Sequence, residues 1–258
     1  MAGGSVHRRF WFAAVALVVV FALAAPALAK DKAKDNEKKD EAAAAAASPA
    51  NARINGEDVT KSDFEAILKA NQRFYDVTSQ SVRDRLRGRP LQDLLFREEV
   101  VKIRSMAQKY ADVLPQMKAT IEQDQAKLKG GADFAEVAKE FGQDATAQKG
   151  GSLGEEPQGF FDFVPPFNHV ALSLKQGQVS EPILTIFGYH IIKVDKIIPP
   201  MELKPKRVLL RHILVRYPPS GTDPRKEAEE TAKGAKVEIV DPAYCKKLPS
   251  YCAEGSGL

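Results

Sequence analysis

The chain has 258 residues, 44% apolar and 28% charged, with 38 Lys and Arg against 34 Asp and Glu for a net charge of +4. That supplies enough apolar side chain for one large domain or two small ones. The small, interspersed excess of positive charge excludes nucleic acid as the expected partner and reads as an ordinary solvated surface.

At the start, His7-Arg8-Arg9 is followed by the almost wholly apolar Phe10 to Ala25, then by Pro26 and the small-x-small tripeptide Ala27-Leu28-Ala29. Residues 1–29 are therefore expected to form a signal peptide, cleaved to give an exported chain in the periplasm or outside the cell. The alternative is an uncleaved anchor, because Phe10 to Ala29 is just long enough to span a bilayer. That anchor is the one membrane contact the sequence suggests. Residues 30–51 are a charged stretch, an alanine run and Ser48-Pro49. Such a segment cannot bury enough apolar area to offset its chain entropy, and is expected to be a disordered linker.

Residues 52–129 are expected to be mostly helical. Ala52-Arg53-Ile54 is a short extended run turned by Asn55-Gly56, and Thr60-Lys61-Ser62-Asp63 opens a helix with Phe64, Ile67 and Leu68 as its stripe. A longer helix follows Pro90, with Phe96, Val100, Ile103, Ala107, Tyr110 and Leu114 on one face. Pro115 is expected to interrupt it, and Met117 to Lys129 to continue until Gly130-Gly131. No catalytic constellation appears in this stretch.

After Gly131 the pattern changes. Asp133 opens a short helix with Glu136 three residues on, and Phe134, Val137, Ala138 and Phe141 share its apolar face. Ala147 to Gly159 is turn-forming. Phe167, Val170, Ala171 and Leu174 mark another short helix, stopped by Gly177. Strands are expected over Ser180 to Thr185, Gly188 to Ile198 and Arg207 to Tyr217, the last so continuously apolar that it reads as central. A turn over Pro218 to Pro224, a helix over Arg225 to Gly234 and a strand over Lys236 to Val240 complete the chain. Export places Cys245 and Cys252 in an oxidising compartment, where a local disulfide pinning the tail is the plain reading.

Three stretches in this half carry a resemblance: Lys149-Gly150-Gly151-Ser152-Leu153-Gly154; Phe163-Val164-Pro165-Pro166-Phe167 with Ala171 to Pro182; and Thr185-Ile186-Phe187-Gly188-Tyr189-His190-Ile191-Ile192-Lys193-Val194. In this order and spacing they resemble the parvulin family of peptidyl-prolyl cis/trans isomerases. The resemblance implies an α+β fold with an antiparallel four-stranded sheet and surrounding helices, here over residues 130–235. Asn55 to Phe64 is similar to the start of the helical chaperone region in SurA-type periplasmic folding factors, in which the terminal segments pack together. Lys236 to Val240 would then pair with Ala52 to Ile54, and 236–258 would be a terminal strand and tail.

One part of the pattern is displaced. Parvulins begin with a strand containing Arg-His-Ile-Leu, and here that signature follows the module as Arg211-His212-Ile213-Leu214. Circular permutation is favoured, because the family's first and last strands are antiparallel neighbours and a short link can join them without a crossover. A truncated second copy, or strand exchange between two chains in a dimer, would also account for it.

The resemblance implies that His190 and His212 form a facing pair supported by Thr185. It puts Asp144, or the residue beside it, near the substrate carbonyl. Leu153, Phe163, Phe167 and Phe187 would line a proline pocket. Rotation about an X-Pro bond breaks no bond, so neither metal nor organic cofactor is implied. The implied partners are unfolded or nascent exported polypeptides with X-Pro bonds. A parvulin fold kept as an inactive holdase or envelope assembly factor is the competing function. His169 is expected to be exposed, and Arg216, Arg225 and Lys226 to be solvated turn residues.

Overall fold

Two left-handed residues in succession make a tight hairpin whose twist matches that of its strands. Asn55 (φ 51°) and Gly56 (φ 88°) form such a turn between β1 (Ala50–Ile54) and β2 (Glu57–Thr60). The computed structural model describes residues 50–60, 96–201, 205–246 and 248–252. The expected signal peptide, the linker up to residue 49 and the helix opened by Ser62 lie outside them.

The second edge of β1 is filled from the far end of the chain. β6 (Val237–Ile239) pairs with it antiparallel, Ala52 opposite Ile239 and Ile54 opposite Val237. β1 begins inside the expected linker because the Asn51 carbonyl accepts the backbone N–H groups of Val240 and Asp241. Ala52, Ile54 and Val59 are buried with Phe96, Val100, Val101, Tyr244 and Leu248. Cys245 and Cys252 are bonded with their Cα atoms 5.5 Å apart, closing the loop that carries the buried Leu248.

A π-helical turn, Phe96–Val101, runs into α1 (Lys102–Lys109); α2 (Leu114–Lys129) and α3 (Phe134–Phe141) follow. The apolar stripe predicts one helix through to Leu114, broken by Pro115. The break instead falls at residues 110–113, and Pro115 sits in the first turn of α2, where its missing N–H would have had no intrahelical acceptor. Asp133 caps α3 by accepting from the N–H groups of Ala135 and Glu136.

The second sheet contains β3 (Ile183–Thr185), β4 (Gly188–Ile198) and β5 (Arg207–Arg216), antiparallel and in that order. Among the described residues three strands form this sheet, for which four were expected, and β4, not β5, is central. Along the outer edge of β5 only two single bridges form, Ser152 to Arg211 and Gln158 to Val208, because the segment between them carries Gly154 and Pro157. The apolar run of β5 has a different cause: both faces of the sheet are covered. β3 is shorter than expected because Pro182 has no N–H for the ladder.

On one face Ile191, Ile213 and Val215 pack with Ile103, Met106, Met117, Ile121, Phe134, Val137 and Ala138, and with Ala228 of α5 (Pro224–Lys233). The expected domain start at residue 130 therefore leaves out two helices, α1 and α2, that share this core. α5 is held against α1 by ion pairs of Glu229 with Arg97 and Lys102, and of Glu227 with Lys109. On the other face α4 (Phe167–Ser173) lies over Ile192, Val194, Val208 and Leu210.

One buried acid works against the fold. Asp124 in α2 is 1% exposed and its Oδ2 has no hydrogen-bond partner. Burial pushes its carboxyl up from 3.8 to about 6. A folded pKa above the unfolded one means the charged form costs stability above about pH 6, and that this cost disappears as pH falls toward 4. Asp124→Asn is expected to raise unfolding free energy by about 1–3 kcal/mol at pH 7.5. Urea melts at pH 7.5 and pH 4 check this; an equal gain at both pH values would mean the charge is not the cause.

Candidate active site

Alternation along a strand sends every second side chain to the same face. On β4 and β5 this puts His190 and His212 on the α4 face, in diagonal register, since His190 lies opposite Leu214 and Ile192 opposite His212. Their rings stack at 5.3 Å between centroids, and the two Nδ1 atoms are 3.1 Å apart within one chain. Both are buried, His190 3% and His212 6% exposed.

A chain of hydrogen bonds runs through the pair. His212 Nε2 is 3.0 Å from Asp144 Oδ2, and His190 Nε2 is 3.0 Å from Thr185 Oγ1. The Phe187 N–H donates to Thr185 Oγ1 at 3.0 Å. Burial pushes the Asp144 carboxyl up, but hydrogen bonds from His212 and Thr146 outweigh it and bring the group down to about 2. Burial holds His190 well below the usual histidine range; His212 adds to this and Asp144 opposes it.

The ionised carboxylate sets the direction of the whole chain. An acceptor at Asp144 requires a proton on His212 Nε2. With both imidazoles neutral, His212 Nδ1 then accepts from His190 Nδ1–H, and His190 Nε2 accepts from the Thr185 hydroxyl. Every polar atom of the pair is satisfied in this arrangement.

Thr146 escaped the sequence reading. Its hydroxyl lies 2.6 Å from Asp144 Oδ1 and 3.0 Å from His212 Nε2, bridging the two. The signal that marks it is Asp-x-Thr: Asp144 Oδ1 also accepts the Thr146 backbone N–H at 3.1 Å, a local turn that fixes both side chains.

Leu153, Phe163, Phe167 and Phe187 line a cavity of about 310 Å3 with His190, His212 and Leu214, and Asp144 stands at its wall. Phe167 sets its ring edge-on to both imidazoles, at 5.2 and 5.8 Å between centroids. All the residues singled out for the site thus meet at one place. Among the described residues, no group of three or more His, Cys, Asp or Glu side chains is arranged to hold a metal ion.

One expectation fails. His169 is not an exposed residue: its side chain is 13% exposed, with Nδ1 3.9 Å from Glu99 Oε1, and burial pushes it down to about 4. The helix Phe96–Val101 covers the flank of α4 that the sequence alone leaves open. Arg225 is exposed, as expected, and has a further contact. It lies in the first turn of α5, and its guanidinium sits 5.4 Å over the Phe187 ring and lines the cavity.

The Gly150-Gly151 turn presses against β5 behind the pair. The Gly151 carbonyl accepts the His212 N–H at 2.9 Å, and Arg211, paired with Asp195, reaches the Gly150 carbonyl. Gly151 has φ +76°, and a Cβ there would overlap the His212 carbonyl oxygen. Gly151→Ala is expected to cost about 2–4 kcal/mol by backbone strain and displacement of β5. A urea melt measures this; a cost within 0.5 kcal/mol of zero (about the size of an ordinary surface change) would mean the close approach is not needed.

A family model described as Rotamase, PPIC-type PPIase domain, matches residues 101–196. The match takes in α1 and ends within β4, so β5 and His212 lie beyond it. Over 134 residues, half of this chain, the sequence is 41% identical to a "Foldase protein PrsA" of Geobacillus sp. (strain WCH70), covering 46% of that protein. It is 46% identical over 77 residues to the "Foldase protein PrsA" of Bacillus subtilis (strain 168), covering 30% of this chain and 26% of that one. It is 44% identical over 69 residues to a "Chaperone SurA" of Cupriavidus pinatubonensis, covering 27% of this chain and 13% of that one. The chain thus spans less than half the length of these relatives.

Proposed function

We propose that this chain, which carries a parvulin-type peptidyl-prolyl isomerase domain, catalyses cis/trans rotation about X-Pro bonds in unfolded exported polypeptides. The observation that carries this is the unbroken chain Asp144–His212–His190–Thr185 standing at the wall of an apolar cavity.

The chemistry follows from amide resonance. A planar imide owes its barrier to delocalisation that places negative charge on the carbonyl oxygen. The twisted state loses that delocalisation and carries less charge on oxygen. An anion beside the oxygen therefore raises the planar state more than the twisted one, and lowers the barrier between them. Asp144, ionised down to about pH 2, is that anion. Leu153, Phe163, Phe167 and Phe187 would grip the proline ring while the preceding carbonyl swings. The hydrogen bond from His212 holds Asp144 in place. The work is done by positioning and preorganised electrostatics.

In this reading β5 is the family's first strand supplied from the C-terminal side, a permuted arrangement supported by the same-chain contact of His190 with His212. Export to the periplasm or cell exterior is supported by the leader-like first 29 residues and by relatives that carry the names foldase and chaperone. The test is refolding of a client limited by proline isomerisation, a step of tens to hundreds of seconds uncatalysed. Catalytic amounts of the chain are expected to accelerate it. Suppressed aggregation with no acceleration would replace an isomerase by a holdase.

A further inference from the structure

Beside the phenylalanine-lined cavity lies a second one, of about 420 Å3, and the two share Asp144, Phe187 and Leu214. Its outer wall is Pro218 to Thr222, the segment that leads from β5, which carries His212, into α5. Every residue of this wall is exposed. Two prolines stiffen its first half, but Ser220-Gly221-Thr222, with Gly221 at φ +80°, has no such restraint. Exposed segments with few bonds to their surroundings are the first parts of a fold to move.

Among the described residues, the hydrogen bond that ties this wall to the rest of the molecule comes from the Ser220 hydroxyl, which donates to Glu227 Oε2 at 2.6 Å. The acceptor is itself fixed. Glu227 is 5% exposed, and its Oε1 accepts from Lys109 Nζ at 2.6 Å and from Tyr110 Oη at 2.5 Å. These donors stand 118 and 117 positions earlier in the chain, at the end of α1. The Tyr110 ring also stacks on Tyr217, 4.7 Å between centroids, where the wall begins. The end of α1 thus holds the wall at its start by a ring stack and at its middle through Glu227. Ser220 stands on an exposed loop, where water would serve its hydroxyl equally well. Its bond therefore adds little to the fold and chiefly sets where the loop stands.

We propose that Glu227 is a positioning residue for substrate binding: anchored by Lys109 and Tyr110, it holds the wall Pro218 to Thr222 in place beside Asp144, so that the peptide meets a loop already ordered. The proposal rests on the isomerase reading above. Glu227 acts through Ser220 and not on the rotating bond. A loop ordered in advance spares binding the cost of ordering it, and that cost is the same for the planar and twisted states of a bound peptide. Loss of the anchor is therefore expected to raise KM by about three- to tenfold and to leave kcat within about twofold.

The experiment measures kcat and KM of the full chain on the peptide Ala-Ala-Pro-Phe, together with heteronuclear NOEs of the Ser220, Gly221 and Thr222 amides. Ser220→Ala removes the loop's end of the bond and leaves Glu227 with Lys109 and Tyr110. It is expected to raise KM by the factor above and to lower the NOEs. Ser220→Thr keeps a hydroxyl, and the amide of Glu227→Gln can still accept from Tyr110 and donate to Ser220, so both are expected to stay near the parent chain. In Glu227→Ala, adding Ser220→Ala is expected to raise KM no further, because both changes break one bond. If Glu227→Ala fails to fold, Ser220→Ala and its rescue by threonine decide. An unchanged KM in Ser220→Ala, a fall in kcat alone, or loop amides equally mobile in Ser220→Ala and the parent overturns the proposal. Absence of turnover by the parent sinks the isomerase reading instead, and the peptide Kd then takes the place of KM. Weaker binding by Ser220→Ala with a mobile loop supports the positioning role, and equal binding or none overturns it.

Discussion

A chain ending at Pro200 is expected to lose its native fold together with the proposed isomerase activity. The cut removes β5, which pairs with β4 along the whole of that strand. With it go Ile213 and Val215 from one core and Val208 and Leu210 from the other. α5 and β6 follow, so α1 loses its ion-paired neighbour and β1 loses one of its two partners. Each buried aliphatic side chain contributes about 1.5–3 kcal/mol. Four of them from β5 alone approach or exceed the 5–15 kcal/mol that separates a typical folded domain from its unfolded state. Circular dichroism and an amide spectrum of the shortened chain check the fold, and the refolding assay checks activity. A shortened chain that folds and isomerises normally would show that β5 is not part of the catalytic sheet in solution, and would return the truncated-copy alternative.

Asp144→Asn is expected to lower kcat/KM by about ten- to a hundredfold with the fold retained. The substitution keeps size and removes the charge that is proposed to destabilise the planar imide. It also reverses the hydrogen-bond chain. An amide N–H directed at His212 Nε2 makes that nitrogen an acceptor, moves the proton to Nδ1, and turns His190 so that Nε2–H donates to Thr185. Nitrogen chemical shifts of the two imidazoles read this reversal directly. Unchanged activity would remove Asp144 from the mechanism. In the unsubstituted protein the carboxyl is held below its unfolded value, so its contribution to stability is present above about pH 4 and is lost as pH falls toward 2. Activity is accordingly expected to show no loss from this group between pH 5 and 8.

Much of the site is legible in the residues because the informative patterns are local. His190 and His212 sit on strands recognisable by their apolar content, and strands that are antiparallel neighbours bring residues on one face together. The Gly150-Gly151 turn, the capped start of α3 at Asp133 and the Asn55-Gly56 hairpin are likewise fixed by backbone chemistry within a few residues. Phe163 and Phe167 lie four apart around the start of α4 and meet at 4.9 Å between ring centroids.

What escaped the reading depends on residues far apart in the chain. Nothing around His169 indicates that Glu99, seventy positions earlier, will cover it. Nothing in α1 and α2 indicates which surface their apolar stripes will bury, and they cover the sheet of β4 and β5 on the face away from the histidine pair. The continuous apolar run of β5 was correctly a sign of burial, but burial on two faces does not imply a strand on each edge.

By itself, then, the sequence determined the strands that carry His190 and His212, while the facing pair, the phenylalanine pocket and an acid at Asp144 or beside it entered as what the parvulin resemblance implies. The strands depend on side-chain period and turn chemistry, and the site residues on the order and spacing of the three stretches that carry the resemblance. Only the tertiary structure decided that Thr146 bridges Asp144 and His212, that α1 and α2 share a core with β4 and β5, and that a second cavity opens beside the first. Those features come from close packing between distant segments, where shape and the satisfaction of buried polar groups select the partners, and no local pattern records that selection.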